Sequence, residues 1–123
     1  MNKKKSFSGC ACSGRSLVRF VRPVLLAFLA KRKAHGYELM QQLQTLALFN
    51  DDPVDASGVY KVLKEMEKEG LLQGQVDTVS GGPSRRVFSI TAQGRGCLKQ
   101  WRTTLQDYQA QVGELLEVVS GRG

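Results

Sequence analysis

Hydrophobic residues recur at intervals of three and four in two stretches of the first half of the chain, the spacing of one face of an α-helix. The first stretch predicts a helix over about residues 18–32. Pro23 should limit or bend its start, because proline cannot donate a backbone hydrogen bond. After a break around His35, the second stretch predicts a shorter helix from Glu38 to Leu48.

A third helical stretch follows a turn-forming segment that ends at Pro53. It predicts a helix over about residues 55–69, with Asp55 as the N-cap. The side chains on its inner face are spaced as in a helix that packs on a core: Val59, Val62, Leu63 and Met66. The outward face is then basic and carries an aromatic ring.

The period changes to two after Leu71, where hydrophobic and polar residues alternate as in a half-buried β-strand. A Gly- and Ser-rich segment over 79–84 separates this stretch from a second one, so the pattern predicts a β-hairpin. Alternation sends Arg85 and Arg86 to opposite faces of the second strand. Phe88 and Ile90 share its buried face.

The last stretch has apolar residues at alternating intervals of three and four, which is the seam of a coiled coil. Its members are Leu98, Trp101, Leu105, Tyr108, Val112, Leu115 and Val119. Thr91 is an acceptable N-cap for this long helix. A narrow seam requires a partner helix, and a second copy of the chain is the simplest partner.

The order helix, helix, helix, hairpin, long helix predicts a mainly α (α+β) fold, a winged helix-turn-helix with a two-stranded β wing and a long C-terminal dimerisation helix. We expect a flexible basic tail over residues 1–15, the winged-helix DNA-binding domain over 16–91 and the dimerisation helix over 92–120. In this architecture the third helix enters the major groove of DNA.

The net charge of the chain also favours DNA as the partner. The chain has 18 Lys and Arg against 11 Asp and Glu, a formal charge of +7, which attracts polyanions such as double-stranded DNA. The apolar run from Val24 to Ala30 is too short to span a bilayer, which needs about 20 residues. We therefore expect a cytosolic protein without a membrane partner.

The predicted DNA contacts lie on the third helix and beside the hairpin tip. The outward residues of the helix are Ser57, Tyr60, Lys61 and Lys64, and the hairpin residues are Arg85 and Arg86. Lysines can contact phosphate or guanine edges, and a tyrosine can contribute its hydroxyl or stack. The alternative is that exposed lysines on a helix are only solvated.

Three blocks of sequence resemble the PadR family of winged-helix transcriptional regulators. The segment His35-Gly36-Tyr37-Glu38-Leu39 resembles the family signature. Residues 58–72 are similar to its recognition helix and exit, and residues 82–94 to its wing. The resemblance covers roughly residues 18–110, and within it Tyr37 is expected to hydrogen-bond a phosphate.

The resemblance implies a homodimer that binds an inverted-repeat operator, with half-sites about one helical turn, roughly 10 bp, apart. It also implies repression that a small effector relieves. Dimer and effector contacts are expected from the first and last helices, at Phe20, Leu98, Trp101, Leu105, Tyr108 and Val112. Trp101 has two interpretations: packing at the dimer interface, or stacking on a planar aromatic effector as in some family members.

No arrangement typical of an enzyme is visible. His35 is the only histidine, and its place before Gly36 and Tyr37 favours a role in helix capping or local packing over metal binding. The chain shows no pair of nucleophile and base and no phosphate-binding glycine loop. We therefore predict that the protein is not an enzyme.

The cysteines leave an alternative open. Cys10 and Cys12 form a Cys-x-Cys pair that departs from the family pattern, and Cys97 lies early in the last helix. Three thiolates can bind a thiophilic metal or metalloid or respond to oxidants, and an effector of this class is the alternative to an organic one. The competing interpretations are reduced thiols without a ligand, a thiol-based metal carrier without DNA binding, and a protein-interaction module. No other cofactor is expected.

Overall fold

The computed structural model describes residues 20–47, 55–77 and 85–121. These ranges contain four helices and three strands. In chain order they are α1 (Val21–Lys31), β1 (Ala34–His35), α2 (Gly36–Gln44), α3 (Ala56–Lys68), β2 (Leu72–Asp77), β3 (Arg85–Ile90) and α4 (Ala92–Val119). Three short helices, a wing and a long helix are the predicted order.

The helix starts follow the predicted signals. The Asp55 carboxylate accepts a hydrogen bond from the backbone N–H of Gly58 at 2.8 Å, and the Thr91 hydroxyl accepts one from Gly94 at 3.0 Å. Both predicted N-caps are confirmed. Pro23 is the third residue of α1, in the first turn, where a backbone N–H has no partner within the helix. It therefore does not interrupt α1.

The predicted bounds of the second helix were wrong at both ends. Helix α2 begins at Gly36 rather than Glu38, because the Glu38 carboxylate reaches back to accept a hydrogen bond from the His35 N–H at 2.8 Å. It ends at Gln44, before Leu46. Thr45 closes the helix with a hydrogen bond from its hydroxyl to the Gln42 carbonyl at 2.7 Å.

The strands form one antiparallel sheet in the order β1-β3-β2. The predicted hairpin is confirmed, with Leu72 opposite Ile90 and Asp77 opposite Arg85. Strand β1 was not predicted, since two residues are too few to show alternation. It places His35 opposite Val87. The wing is thereby joined to the start of α2.

The core lies where the first three helices meet the sheet. Its largest fully buried side chains come from every one of these elements: Leu25, Leu26, Leu29, Leu39, Leu43, Val59, Leu63, Met66 and Phe88. Phe88 confirms the predicted buried face of β3, while Ile90 is half-buried. The hydrophobic face of α3 is thus held inward, and its opposite face is directed to solvent.

Helix α4 has 28 residues and is about 42 Å long. Its first part packs on α1 and β3, and there Leu98 and Trp101 lie against the core. Beyond Tyr108, the described residues of the single chain do not cover the seam in this way: Val112 is 59% exposed and Val119 is 80% exposed. A continuous apolar edge therefore faces solvent.

Candidate nucleic-acid interface

The outward face of α3 carries the four helix residues that the sequence predicts for DNA contact. Ser57, Tyr60, Lys61 and Lys64 are all exposed and line one concave surface, together with Lys68. Val59, Leu63 and Met66 on the inner face are fully buried, so the rotation of α3 about its axis is set by the core. The structure thus brings these four side chains together.

Acidic residues alternate with the lysines from the second half of α3 to its C-cap, and two arginines from other elements pair with them. The Arg22 guanidinium of α1 donates to both carboxylate oxygens of Glu69, at 2.8 and 2.9 Å, and lies 3.8 Å from Glu65. Arg86 of β3 pairs with Glu67. The hydrogen bonds between Arg22 and Glu69 lower the pKa of the Glu69 carboxyl and raise the pKa of Arg22.

The lysines of α3 differ from these acids in their surroundings. Among residues 20–47, 55–77 and 85–121, no carboxylate forms a salt bridge with Lys61, Lys64 or Lys68. Their charge is therefore unbalanced, while Glu65, Glu67 and Glu69 have cationic partners. The face has the net positive charge that a DNA-reading helix needs.

Tyr60 is half-exposed because its ring rests on the start of α2. A Cβ atom added at Gly36 would lie 2.3 Å from Cε1 of Tyr60, so only glycine leaves room for the ring. Gly36 is buried, and Tyr60 remains 42% exposed. The contact joins the signature segment to α3.

Tyr37 follows Gly36 and is 62% exposed. The Gln41 side-chain amide donates a hydrogen bond to the Tyr37 hydroxyl at 3.2 Å. The hydroxyl acts as the acceptor in this bond, so its own proton is directed elsewhere and can be donated to an anion. Sequence reasoning did not identify Gln41, although its i, i+4 spacing from Tyr37 on a helix is a usable signal.

The two arginines beside the wing tip have different surroundings. Arg85 is exposed at the start of β3, opposite Asp77. Arg86 pairs with Glu67 and lies over the Phe88 ring, with its guanidinium carbon 6.0 Å from the ring centroid. Arg86 therefore holds the sheet against α3, whereas Arg85 is on the opposite face of the strand.

An apolar cleft of about 540 Å³ separates α1 from α4. Its lining is Phe20, Pro23, Val24, Ala27, Leu98, Trp101, Arg102 and Leu105. The rings of Phe20 and Trp101 meet edge to face, with centroids 6.3 Å apart, and Phe20 is 6.2 Å from the Tyr108 ring. Of the predicted dimer and effector residues, the cleft brings together Phe20, Leu98, Trp101 and Leu105, Tyr108 adjoins it through Phe20, and Val112 lies further along α4.

Cys97 is half-buried and packs against the hydrophobic core. Cys10 and Cys12 lie outside the described residues, so the predicted thiol trio stays a prediction. Within the described ranges, no group of three His, Cys, Asp or Glu side chains is arranged to hold a metal ion. In the same ranges no helix has the combination of length and apolar character needed to cross a membrane.

Solved structures of other proteins share the fold of this chain. A PadR-like transcriptional regulator from Bacillus cereus is 26% identical, covers 82% of this chain and 95% of its own, and superposes with a TM-score of 0.70. A PadR family transcription regulator from Clostridium difficile is 20% identical, covers 79% of this chain and 98% of its own, and has a TM-score of 0.69. An uncharacterised protein from Lysinibacillus sphaericus is 24% identical over 82 residues, which are 63% of this chain and 74% of that protein.

Residues 25–100 match the sequence profile of the Transcriptional regulator PadR-like family, which is more than half of the chain. The matched region runs from α1 through α3, β2 and β3 into α4. Members of this family are DNA-binding transcription regulators rather than enzymes. The chain belongs to the PadR-like family of transcriptional regulators.

Proposed function

We propose that the protein is a cytosolic, homodimeric repressor that reads DNA by inserting α3 into the major groove. The observation that carries this proposal is the charge arrangement on α3, where Arg22 and Arg86 pair with the acidic residues and no carboxylate of the described residues forms a salt bridge with the lysines. In this pose Lys61 and Lys64 contact phosphates or guanine edges, and Ser57 and Tyr60 lie beside them.

Two further contacts flank the helix in this proposal. The Tyr37 hydroxyl already accepts a hydrogen bond from the Gln41 amide, so it donates its own proton to a phosphate. Arg85 reaches a second phosphate from the wing. Both are contacts to the DNA backbone, which fix the register of α3 in the groove without reading sequence.

The double variant Lys61→Ala/Lys64→Ala tests the recognition face. We expect it to bind duplex DNA more weakly and to lower the slope of log K against log salt by about two, because each phosphate contact contributes roughly one. Arg95→Ala/Lys99→Ala is the matched control, since it removes two exposed charges from α4. Equal affinities and equal slopes for the recognition variant and the wild type would overturn the proposal.

The exposed part of the α4 seam supports dimerisation through this helix. Val112 and Leu115 are 59% and 61% exposed, and a seam of this kind packs against a partner helix. We expect Val112→Asp to shift the protein to monomers in analytical ultracentrifugation. The control Ala110→Asp puts the same charge on the other side of α4 and should leave the dimer intact. Dimers of Val112→Asp as stable as the wild type would contradict this assignment.

The dimer predicts the form of the operator. Two copies of α3 related by a two-fold axis read an inverted repeat with half-sites about 10 bp apart. Selection of bound sequences from a pool of random duplexes should therefore recover such a repeat. A single unpaired half-site as the best ligand would count against a dimeric reading unit.

The cleft between α1 and α4 supports an effector of planar aromatic chemistry. Its volume is in the range of small-molecule sites, and it presents Phe20 and Trp101 as stacking surfaces. Trp101 is the only tryptophan, so quenching of its fluorescence by planar aromatic compounds reports binding there. A compound that quenches Trp101 should also weaken DNA binding. Quenching with unchanged DNA affinity would show that the cleft does not control release.

A further inference from the structure

His35 lies where three elements of the fold meet. It is the N-cap of α2, it belongs to β1, and it pairs with Val87 of β3. Its side chain is 23% exposed and is directed towards Asp77 at the end of β2. The residue is therefore at the junction of the wing with the helix that carries Tyr37.

Both ring nitrogens of His35 face carboxylates. Nδ1 is 3.0 Å from Oε1 of Glu38, and Nε2 is 3.3 Å from Oδ2 of Asp77. A neutral imidazole has one N–H, so one of its nitrogens would present a lone pair to a carboxylate oxygen. Only the protonated ring donates to both groups, and the geometry therefore suits the imidazolium.

The carboxylate on the α2 side is held in its charged form. The His35 backbone N–H donates to Glu38 at 2.8 Å, and this bond, followed by the bond from the ring, lowers the pKa of the Glu38 carboxyl. Glu38 thus remains an anion to lower pH than an ordinary glutamate.

We propose that His35 is a positioning residue for DNA binding: its protonated ring fastens the base of the wing to the start of α2. The inference rests on the proposed function, because the parts it aligns are Tyr37 on α2 and Arg85 on the wing, opposite Asp77. The pair His35–Asp77 and the pair His35–Glu38 together are called the wing clasp below.

The charged groups around the clasp determine the sign of its pH dependence. Glu38 faces the ring from α2 and Asp77 faces it from β2, while Arg85 is opposite Asp77 on β3. Arg32 acts on Glu38 electrostatically, and Lys33 lines a surface with Asp77. Loss of the ring proton removes one of the two ring N–H donors, so one ring nitrogen then presents a lone pair to a carboxylate oxygen. The clasp therefore loosens as the pH rises, and the wing is less well aligned.

The single histidine makes the clasp directly observable by NMR. Histidine ordinarily changes charge between about pH 5 and pH 8, so its imidazole signals and the amide signals of Gln75 and Val87 can be followed over that range. We expect the wing amides to move with the imidazole in the wild type. In Asp77→Asn, where the wing-side anion is absent, the wing amides should not follow the imidazole signals. Wing amides that ignore the imidazole in the wild type would overturn the proposal.

The DNA measurement uses a labelled random-sequence duplex at constant ionic strength across the same pH range. We expect the wild type to lose affinity as the pH rises, and both His35→Gln and Asp77→Asn to lose this dependence. Asp107→Asn is the matched control, because it removes an exposed carboxylate from α4, and it should behave as the wild type does. Asp77→Asn also separates the clasp from simple charge attraction, since this variant keeps the His35 ring.

The outcomes for the two proposals are distinct. A wild type that binds DNA with the same affinity across the range overturns the wing clasp and leaves the proposed function intact. A wild type that binds no DNA at any pH overturns the proposed function, and the NMR result then decides whether the clasp exists.

Discussion

The ring of Tyr60 lies over the α-carbon of Gly36, close enough that a Cβ atom there would be 2.3 Å from Cε1 and 2.9 Å from Cζ of the ring. Gly36→Ala must therefore displace Tyr60. We expect a loss of about 1–3 kcal/mol in the free energy of unfolding, as for other overpacked sites, measured by urea denaturation. Combining the change with Tyr60→Ala should remove most of this loss. Additive effects of the two substitutions would show that the ring is not the obstacle.

Two glycines of α4 should respond to alanine with opposite signs. A Cβ at Gly94 would be 2.1 Å from the Leu71 carbonyl oxygen, which is already held by hydrogen bonds from the Thr91 N–H and hydroxyl. At Gly96 a Cβ meets no atom of the described residues within 4 Å. Gly94→Ala should cost about 3 kcal/mol, whereas Gly96→Ala should stabilise the helix by roughly 0.5–1 kcal/mol. Thermal unfolding of the two variants checks the difference, and equal effects would contradict it.

Neighbouring arginines of the wing should separate stability from DNA binding. Arg86→Ala removes the pair with Glu67 and the contact with the Phe88 ring, and we expect it to destabilise the fold by about 1 kcal/mol. Arg85→Ala should leave the melting temperature unchanged and lower the salt slope of DNA binding by about one. If instead Arg85→Ala destabilises the fold and Arg86→Ala lowers the salt slope, Arg86 is the phosphate contact.

The pair Arg22–Glu69 should make stability depend on acidic pH. Hydrogen bonds from Arg22 lower the pKa of Glu69 in the folded protein, so the carboxylate stabilises the fold above its ordinary pKa. This contribution is lost as the pH falls through the lowered pKa. Glu69→Gln should therefore be less stable than the wild type near neutral pH, and the difference should shrink in acid. Glu117→Gln on the exposed end of α4 serves as the control, and a difference that persists in acid would exclude this cause.

Local signals in the sequence were sufficient for most of the secondary structure. Asp55 and Thr91 cap helices because a side-chain oxygen and a backbone N–H three residues later are brought together by the helix itself. The hydrophobic period placed Leu63 inward and Lys64 outward for a similar reason, since 3.6 residues per turn define the faces. The sequence pattern misplaces the start of α2, because it predicts Glu38 as the first helical residue, whereas Glu38 caps the helix from its third position.

The long-range ion pairs around the candidate site could not be predicted from local sequence patterns. Arg22 and Glu69 are 47 residues apart, His35 and Asp77 are 42 apart, and Arg86 and Glu67 are 19 apart. Whether such groups meet depends on how the helices cross and on the register of β3 with its two neighbours. The hydrophobic period of the sequence specifies neither the crossing of the helices nor the register of the strands.

The amino-acid sequence by itself therefore determined that α3 has a basic outward face, because that depends only on the period of one helix. Tertiary structure decided that this face is positive in effect, because Arg22 and Arg86 reach the three glutamates from α1 and β3 and leave the lysines unbalanced. It also decided that His35 lies between two carboxylates, through the pairing of the short strand β1 with β3. The sequence gives the charge of each residue, but the distances between residues in the fold decide which charges are paired.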